Sequence, residues 1–223
     1  MDIIQLNGVS KSFKNKVILR DINLNIKKGD FVVIMGESGC GKTTLLNMIA
    51  MLEPVSSGEI IIDTKNINHL KKSEKVDLYR NTLGVIFQGS LLQPHLSIAE
   101  NIALPGIFAK IPKDKREQRV LQLSNELGIS EKLKELPSEA SGGQVERACI
   151  ARALFLNPKI IIADEPTSSL DEENTNNVLH LLDQIRVQYN ITIIVSSHNR
   201  LTANFATQLL YIKDQSIYDV RNS

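Results

Sequence analysis

The chain has 223 residues, of which 42% are hydrophobic, and a formal net charge of +1 at pH 7. A chain of this length can bury a full core, and its balanced charge gives no broad basic field, so nucleic acid is not an expected partner. The two cysteines, Cys40 and Cys149, cannot form a disulfide framework and fit a reducing compartment.

The first ten residues, MDIIQLNGVS, lack the charged and apolar regions of a signal peptide. No apolar run approaches the roughly 18 residues that a membrane span needs. We therefore expect a cytosolic chain. The basic stretch KIPKDKREQR, residues 110–119, is interpreted as the solvated face of a helix.

Strands and helices alternate along the chain, which predicts an α/β fold with a mainly parallel sheet. Residues 17–26 alternate apolar and polar side chains, which is typical of a half-exposed antiparallel strand. FVVIM at 31–35 predicts a buried strand that runs straight into a glycine-rich loop, and residues 44–52 have helical spacing. Further strands are predicted at 56–63 and 83–88.

Residues 90–155 have a different character, with few β-branched runs and helical spacing at Val120, Leu123 and Leu127. This segment predicts a helical lobe. We expect it to be divided by its prolines, which are Pro94, Pro105, Pro112 and Pro137.

β character returns in KIIIADEP at 159–166 and ITIIVSSH at 191–198, and LLYIKDQSIYDV at 209–220 predicts a hairpin. A helix is predicted between the first two strands. Its apolar face carries Val178, Leu179, Leu182 and Ile185.

The strongest single motif is Gly36-x-x-x-x-Gly41-Lys42-Thr43, which follows a predicted buried strand. Glycines allow backbone N–H groups to curl around phosphate oxygens, Lys42 neutralises β- and γ-phosphate charge, and the Thr43 hydroxyl is a ligand for Mg²⁺. A purely structural glycine turn is the less favoured alternative in this strand and helix context.

A second motif, which is acidic, indicates what reaction the bound nucleotide undergoes. The apolar strand IIIAD ends in Asp164, a candidate Mg²⁺ ligand, and Glu165 beside it is a candidate base for an attacking water. Adjacent acids are common in surface loops, so these two indicate a nucleotide hydrolase only in combination with the phosphate loop. His198 ends the next predicted strand, where it could contact the γ-phosphate, although a lone histidine is more often structural.

A second anion-binding site, in addition to the phosphate loop, is predicted at ASGGQVERACIARAL, residues 140–154, where a Ser-Gly-Gly turn precedes a helix. Unpaired N–H groups and the helix dipole favour an anion at such a start. One small chain therefore carries two phosphate-type sites.

These motifs, in this order, resemble the nucleotide-binding subunit of an ABC transporter over essentially the whole chain. The matching elements are GESGCGKTT at 36–44 (Walker A), FQ at 87–88 (Q-loop), SGGQ at 141–144 (signature), IIIADE at 160–165 (Walker B), SSLD at 168–171 (D-loop) and His198 (switch histidine).

The resemblance implies ATP and Mg²⁺ as cofactors, and two subunits that close head to tail over two ATP molecules. The second anion-binding site would then contact the nucleotide bound to the partner subunit. It implies Glu165, His198 and Lys42 as catalytic residues and Thr43, Gln88 and Asp164 as metal ligands. It implies nucleotide contacts from Phe13, Gly36, Ser38, Gly39, Cys40, Gly41, Lys42, Thr43, Thr44, Gln88, Ser141, Gly143, Gln144 and Asp171, with Phe13 stacked on the base.

The implied fold is a P-loop NTPase core with a mainly parallel sheet, an antiparallel β subdomain and a helical signature subdomain. All 223 residues would form one ABC ATPase domain. Residues 1–88 and 156–223 would form the core with its antiparallel part, and 89–155 the helical subdomain.

Some positions depart from the family pattern. The signature commonly begins with Leu and continues SGGQQQR, whereas Ala140 leads here and Val145 and Glu146 precede Arg147. Cys40 replaces a residue that is usually Ser, Ala or Asn; we interpret it as a tolerated small side chain, with a redox-sensitive thiol as the alternative.

Without a membrane segment, the chain is expected to work with a separately encoded permease on the inner face of the cell membrane. GESG, NIALPGIFAKI at 101–111 and DEPTSSLD at 164–171 most resemble the macrolide-exporter, lipoprotein-release and bacteriocin-export group. This implies export or extraction of an amphipathic peptide, lipid or antimicrobial. The alternatives are a cell-division regulator that signals through a membrane protein without transport, and a soluble ABC ATPase of DNA repair or translation.

Overall fold

The computed structural model describes residues 1–14, 16–89 and 91–220. The strands are β1 (Asp2–Phe13), β2 (Lys16–Lys27), β3 (Phe31–Met35), β4 (Ser57–Ile62), β5 (Lys65–Asn66), β6 (Leu83–Ile86), β7 (Ile160–Asp164), β8 (Thr192–Ser196), β9 (Gln208–Lys213) and β10 (Ser216–Asp219). The helices are α1 (Lys42–Ile49), α2 (Lys72–Thr82), α3 (Ile98–Phe108), α4 (Lys113–Glu126), α5 (Gly142–Leu154) and α6 (Glu172–Tyr189), with short 3₁₀ helices at Ser130–Lys132, Pro137–Glu139 and Arg200–Phe205.

The strands form two sheets. One is antiparallel, in the order β2-β1-β4-β5, and the other has the order β10-β9-β3-β8-β7-β6. In the second sheet every neighbouring pair is parallel except β9 and β10, which form the predicted hairpin. The α/β class, the mainly parallel sheet and the antiparallel part are thereby confirmed.

The burial patterns explain why these segments form strands. β2 alternates buried residues such as Leu24 and Ile26 with exposed asparagines, as a strand with one solvated face does. In contrast, the first four residues of β3 and of β7 and all five of β8 are buried. Such continuous apolar runs are typical of parallel strands covered on both faces.

The six-stranded sheet separates two hydrophobic cores. Phe31 and Val33 of β3 point into a core shared with α3, α4, α5 and α6. Val32 and Ile34 point to the opposite side, into a core shared with α1 and the antiparallel sheet. Because β3 lies between both cores, the loop that follows it starts from a rigid position.

Pro105 corrects one prediction. We expected it to divide the helical lobe, but α3 continues through it. A proline inside a helix removes one backbone hydrogen bond, and two features offset this loss. Ser97 and Glu100 form a capping box at the helix start, and the buried Asn101 side chain donates to the carbonyls of Gln93, Leu96 and Ser97.

The basic stretch at 110–119 overlaps α4. Lys113 and Lys115 are exposed, as predicted. Arg119 differs, because its guanidinium donates to the carbonyls of Leu154 and Phe155 at 3.0 and 3.3 Å. This arginine therefore caps the end of α5. Across residues 1–14, 16–89 and 91–220, no helix has the length and apolarity required to cross a membrane.

Candidate active site

Four loops meet at the carboxyl edge of the six-stranded sheet, because β3, β8, β7 and β6 are parallel neighbours. They surround an open cleft of about 440 Å³. Ligands bind at this edge in open α/β sheets. The residues that line the cleft are Ile18, Ser38, Gly39, Gly41, Lys42, Thr43, Thr44, Gln88, Glu165 and His198.

The loop between β3 and α1 has the backbone geometry of an anion-binding site. Gly41 precedes α1 with φ of 113° and, as a glycine, has no side chain to cap the first turn of the helix. The amide N–H groups of that turn are therefore available to an anion, in line with the helix dipole. Gly36 has φ of 151°, and a Cβ there would lie 2.8 Å from the Ile212 carbonyl oxygen, so only glycine fits.

Lys42 lies at the base of this loop and is 6% exposed. Its ammonium donates to the carbonyl oxygens of Gly36 at 2.9 Å and Glu37 at 3.1 Å. Nζ is also 3.9 Å from Oε1 of Glu165. A buried cation needs such partners, and they hold the ammonium where a phosphate would lie against the loop.

Ser196 of the adjacent strand β8 contacts both Asp164, the last residue of β7, and Glu165, which follows it. The Ser196 hydroxyl donates to Oδ1 of Asp164 and accepts from the Glu165 amide at 2.9 Å. Glu165 has φ of 46°, an uncommon value for a non-glycine residue. Sequence reasoning missed Ser196. Its only signal was its place in IVSSH, two residues before His198.

His198 completes a cluster of three titratable side chains in the cleft. Its Nδ1 lies 3.2 Å from Oε2 of Glu165, and its side chain is 64% exposed. The structure therefore brings together Lys42, Glu165 and His198, the three residues predicted to be catalytic. These roles stay predictions.

The oxygen and amide groups near the cleft fit Mg²⁺. The Thr43 and Gln88 side chains line the cleft, and Asp164 lies at the end of β7. Among the described residues, no three His, Cys, Asp or Glu side chains cluster closely enough to form a protein cage for a metal. Mg²⁺ commonly uses one or two protein ligands together with phosphates and waters, so the donor set suits this ion.

The signature residues lie outside this cleft. Ser141 caps α5, with its hydroxyl accepting from the Gln144 amide at 3.4 Å while the Gln144 side chain accepts from the Ser141 amide at 2.9 Å. Asp171 caps α6 by accepting from the Asn174 amide at 2.8 Å. None of Ser141, Gly143, Gln144 or Asp171 is among the residues that line the cleft of their own chain.

Three other predicted contacts are also absent from the cleft lining, namely Phe13, Gly36 and Cys40. Gly36 and Cys40 belong to the loop itself. The Phe13 ring, 44% exposed, lies beneath the Lys11 ammonium at 4.6 Å, and Ile18 lines the cleft instead. The stacking role of Phe13 stays a prediction, and Ile18 is an apolar lining residue of the cleft that sequence reasoning missed.

Comparison with known proteins agrees with this geometry. The family model described as ABC transporter matches residues 19–168. The bacitracin export ATP-binding protein BceA of Halalkalibacterium halodurans is 38% identical over 222 residues, which are 98% of this chain and 88% of that protein. The macrolide export ATP-binding/permease protein MacB of Mannheimia succiniciproducens is 42% identical over 223 residues, but the chain covers 34% of its length.

A solved structure is similar over nearly the whole chain. It is the dimeric post-hydrolysis state of the ATP-binding cassette MJ0796 bound to ADP and Pi, with a TM-score of 0.88 and 35% identity. The match covers 98% of this chain and 99% of that one. The protein of that name from Methanocaldococcus jannaschii is 37% identical, and the match covers 96% of this chain and 95% of that protein. On the family match, this likeness and the cleft together, the chain belongs to the ABC transporter family, as one of its ATP-hydrolysing cassettes.

Proposed function

We propose that two copies of this chain close over two ATP molecules and thereby power a membrane permease that exports or extracts an amphipathic compound. The observation that supports the two-copy site is the placement of Ser141 and Gln144 away from the chain's own cleft. The N-terminus of α5, which these residues cap, carries the positive end of the helix dipole and so favours an anion. The phosphates of an ATP molecule bound to a second chain would supply that anion. The MJ0796 cassette is described as dimeric.

The distances support the following roles within one such site. Lys42 and the amides of the glycine loop bind the β- and γ-phosphates. Glu165 accepts the proton of an attacking water whose oxygen bonds to the γ-phosphorus, as the bond to the β,γ-bridging oxygen breaks to leave ADP and phosphate. His198, 3.2 Å from Glu165, holds that carboxylate in place. Thr43, Gln88 and Asp164 would hold Mg²⁺, which when bound neutralises phosphate charge.

The permease partner would dock beside the cleft. An apolar groove of about 480 Å³ runs between the end of α1, α2 and α3, and Leu52, Val76 and Phe108 contribute to it. The Phe108 side chain is 75% exposed. A second groove of about 350 Å³ shares Tyr79, Arg80 and Arg152 with the first and reaches Phe87, next to Gln88. Exposed apolar surface of this kind marks a site of protein association, which would hold the chain against the membrane.

The export direction and substrate class rest on similarity to proteins named for bacitracin and macrolide export. A growth assay tests both. The chain is expressed with the permease encoded beside it in a sensitive host, with Lys42→Ala as the inactive control, and tolerance to bacitracin and to a macrolide is measured. We expect higher tolerance to one of them only with the active chain. Unchanged tolerance together with filamentous cells would instead support a division regulator.

A further inference from the structure

The start of α5 packs against the segment that leads from the acids of β7 into α6. A Cβ on Gly142 would lie 3.3 Å from Cδ2 of Leu170, and a Cβ on Gly143 would lie 3.3 Å from Oδ1 of Asn174. Both glycines lie in the first turn of a regular helix, so backbone conformation does not demand glycine there. A methyl group at either position would require its neighbour to move by a few tenths of an ångström.

The two neighbours differ in how far they can move. The end of the Leu170 side chain is flexible, but Asn174 is fixed at both its amide groups. Its backbone N–H donates to Oδ1 of Asp171 at 2.8 Å, and its Nδ2 donates to Oδ2 of Asp171 at 2.9 Å. These two bonds lower the pKa of the Asp171 carboxyl. With Nδ2 committed to Asp171, Oδ1 is held towards Gly143.

Backbone hydrogen bonds restrain the segment between Glu165 and Asn174. The Ser168 amide donates to the Glu165 carbonyl and the Leu170 amide to the Thr167 carbonyl, both at 3.2 Å. Thr167 is only 7% exposed. This turn therefore connects Glu165 directly to the first turn of α6, where Asn174 lies against Gly143.

We propose that Asn174 is a positioning residue that links Glu165 of the chain's own ATP site to the signature residues Ser141–Gln144, which serve the ATP of the partner. The inference rests on the proposed two-chain site. In that arrangement a change at one ATP reaches the other through contacts within a single chain. Coupling of this kind typically changes the affinity of a second site by roughly 5- to 150-fold.

Asn174→Ala tests the link in the full-length chain. The variant keeps the backbone bond from residue 174 to Asp171 and removes only the side-chain contacts. We expect the Hill coefficient for ATP hydrolysis to fall from about 2 towards about 1, since two coupled sites set its upper limit. Binding of the first ATP, compared with and without Asn174→Ala in chains that also carry Glu165→Gln, should change less than about 2-fold, because the coupling affects only the second site. Asn177→Ala, an exposed asparagine on the same helix, is the matched control and should retain the wild-type curve.

A double-mutant cycle identifies the contact itself. Gly143→Ala places a methyl group against Asn174 and should lower hydrolysis at least about 5-fold, and adding Asn174→Ala should restore part of that loss. An unchanged Hill coefficient in Asn174→Ala would overturn the inference. So would a double variant no more active than Gly143→Ala, even if its thermal stability recovered, because the contact would then be structural only.

The two proposals fail separately. Mixing Lys42→Ala chains with Ser141→Arg chains tests the two-chain site without involving Asn174. If activity returns in that mixture while Asn174→Ala behaves as wild type, only the role of Asn174 is wrong. If the mixture stays inactive with no intact site, the two-chain site is wrong, and the inference drawn from it is wrong too.

Discussion

The carboxylate of Glu165 lies 3.2 Å from Nδ1 of His198, and its other oxygen lies 3.9 Å from the Lys42 ammonium. These contacts join the ends of three loops at one edge of the parallel sheet. In the proposed mechanism this carboxylate accepts a proton from water at the γ-phosphate.

Replacing Glu165 by Gln keeps the shape of the side chain and removes its proton acceptor. We expect ATP hydrolysis, measured by phosphate release, to fall by about 10²- to 10⁴-fold while ATP still binds. Glu37→Gln, an exposed glutamate in the same loop region, is the control and should retain most activity. Hydrolysis near wild type in Glu165→Gln would move the base elsewhere, with His198 the next candidate.

Gln88 lines the cleft and follows Phe87, which lines the neighbouring groove. Gln88→Ala should therefore reduce the stimulation of ATPase activity by the permease more than it reduces the affinity for nucleotide. The measurement is ATPase activity of the cassette alone and with its permease in liposomes. A variant that the permease stimulates as strongly as wild type would show that Gln88 has no coupling role and is a structural residue at a strand end.

The close approach of β6 and α5 predicts a stability effect. A Cβ on Gly84 would lie 2.5 Å from the carbonyl oxygen of Ala153, a backbone atom that cannot move aside. Gly84→Ala should lower the free energy of unfolding by about 1–3 kcal/mol, measured by urea denaturation. Gly142→Ala, which would meet only the flexible Leu170 side chain, should be nearly neutral. Equal stability of the two variants would contradict the packing described here.

The two cysteines should differ in reactivity. Cys149 is 1% exposed, and burial raises the pKa of its thiol to about 12, with Glu146 adding to the shift and Arg152 opposing it. At pH 8 this thiol stays protonated and enclosed, whereas Cys40 is half-buried. A thiol reagent such as DTNB should label Cys40 in the native chain and both residues after unfolding. Rapid native labelling of a Cys40→Ser variant would contradict this.

The parts of the fold that sequence analysis predicted are those with a strong local pattern. The continuous apolar runs of β3, β7 and β8 and the helical period of the apolar face of α6 are each visible within one short segment. Helix α2 was not predicted, since only Leu78 and Thr82 of its eleven residues are buried and no apolar stripe forms. The prediction for Pro105 was wrong because a helical pattern does not reveal that the Asn101 side chain donates to carbonyls of the segment that leads into α3.

The candidate site divides in the same way. Lys42, Glu165 and His198 follow strands whose order in the sheet makes them neighbours, so motif and topology together predict their meeting. Ser196 and Asn174 carry no motif of their own. Their importance depends on which side chains the folded chain brings to them, and that information is tertiary.

The most direct test of the account asks whether Ser141 acts on the ATP held by Lys42 of the other chain. Lys42→Ala and Ser141→Arg chains, each inactive alone, are mixed, and ATP hydrolysis is measured together with mixed-dimer formation and single-site ATP trapping. If the sites pair across chains, a mixed dimer has one site with both lesions and one with neither, so trapping and hydrolysis return. If mixed dimers form and no intact site is trapped, each chain uses its own Ser141, and the two-chain site is wrong.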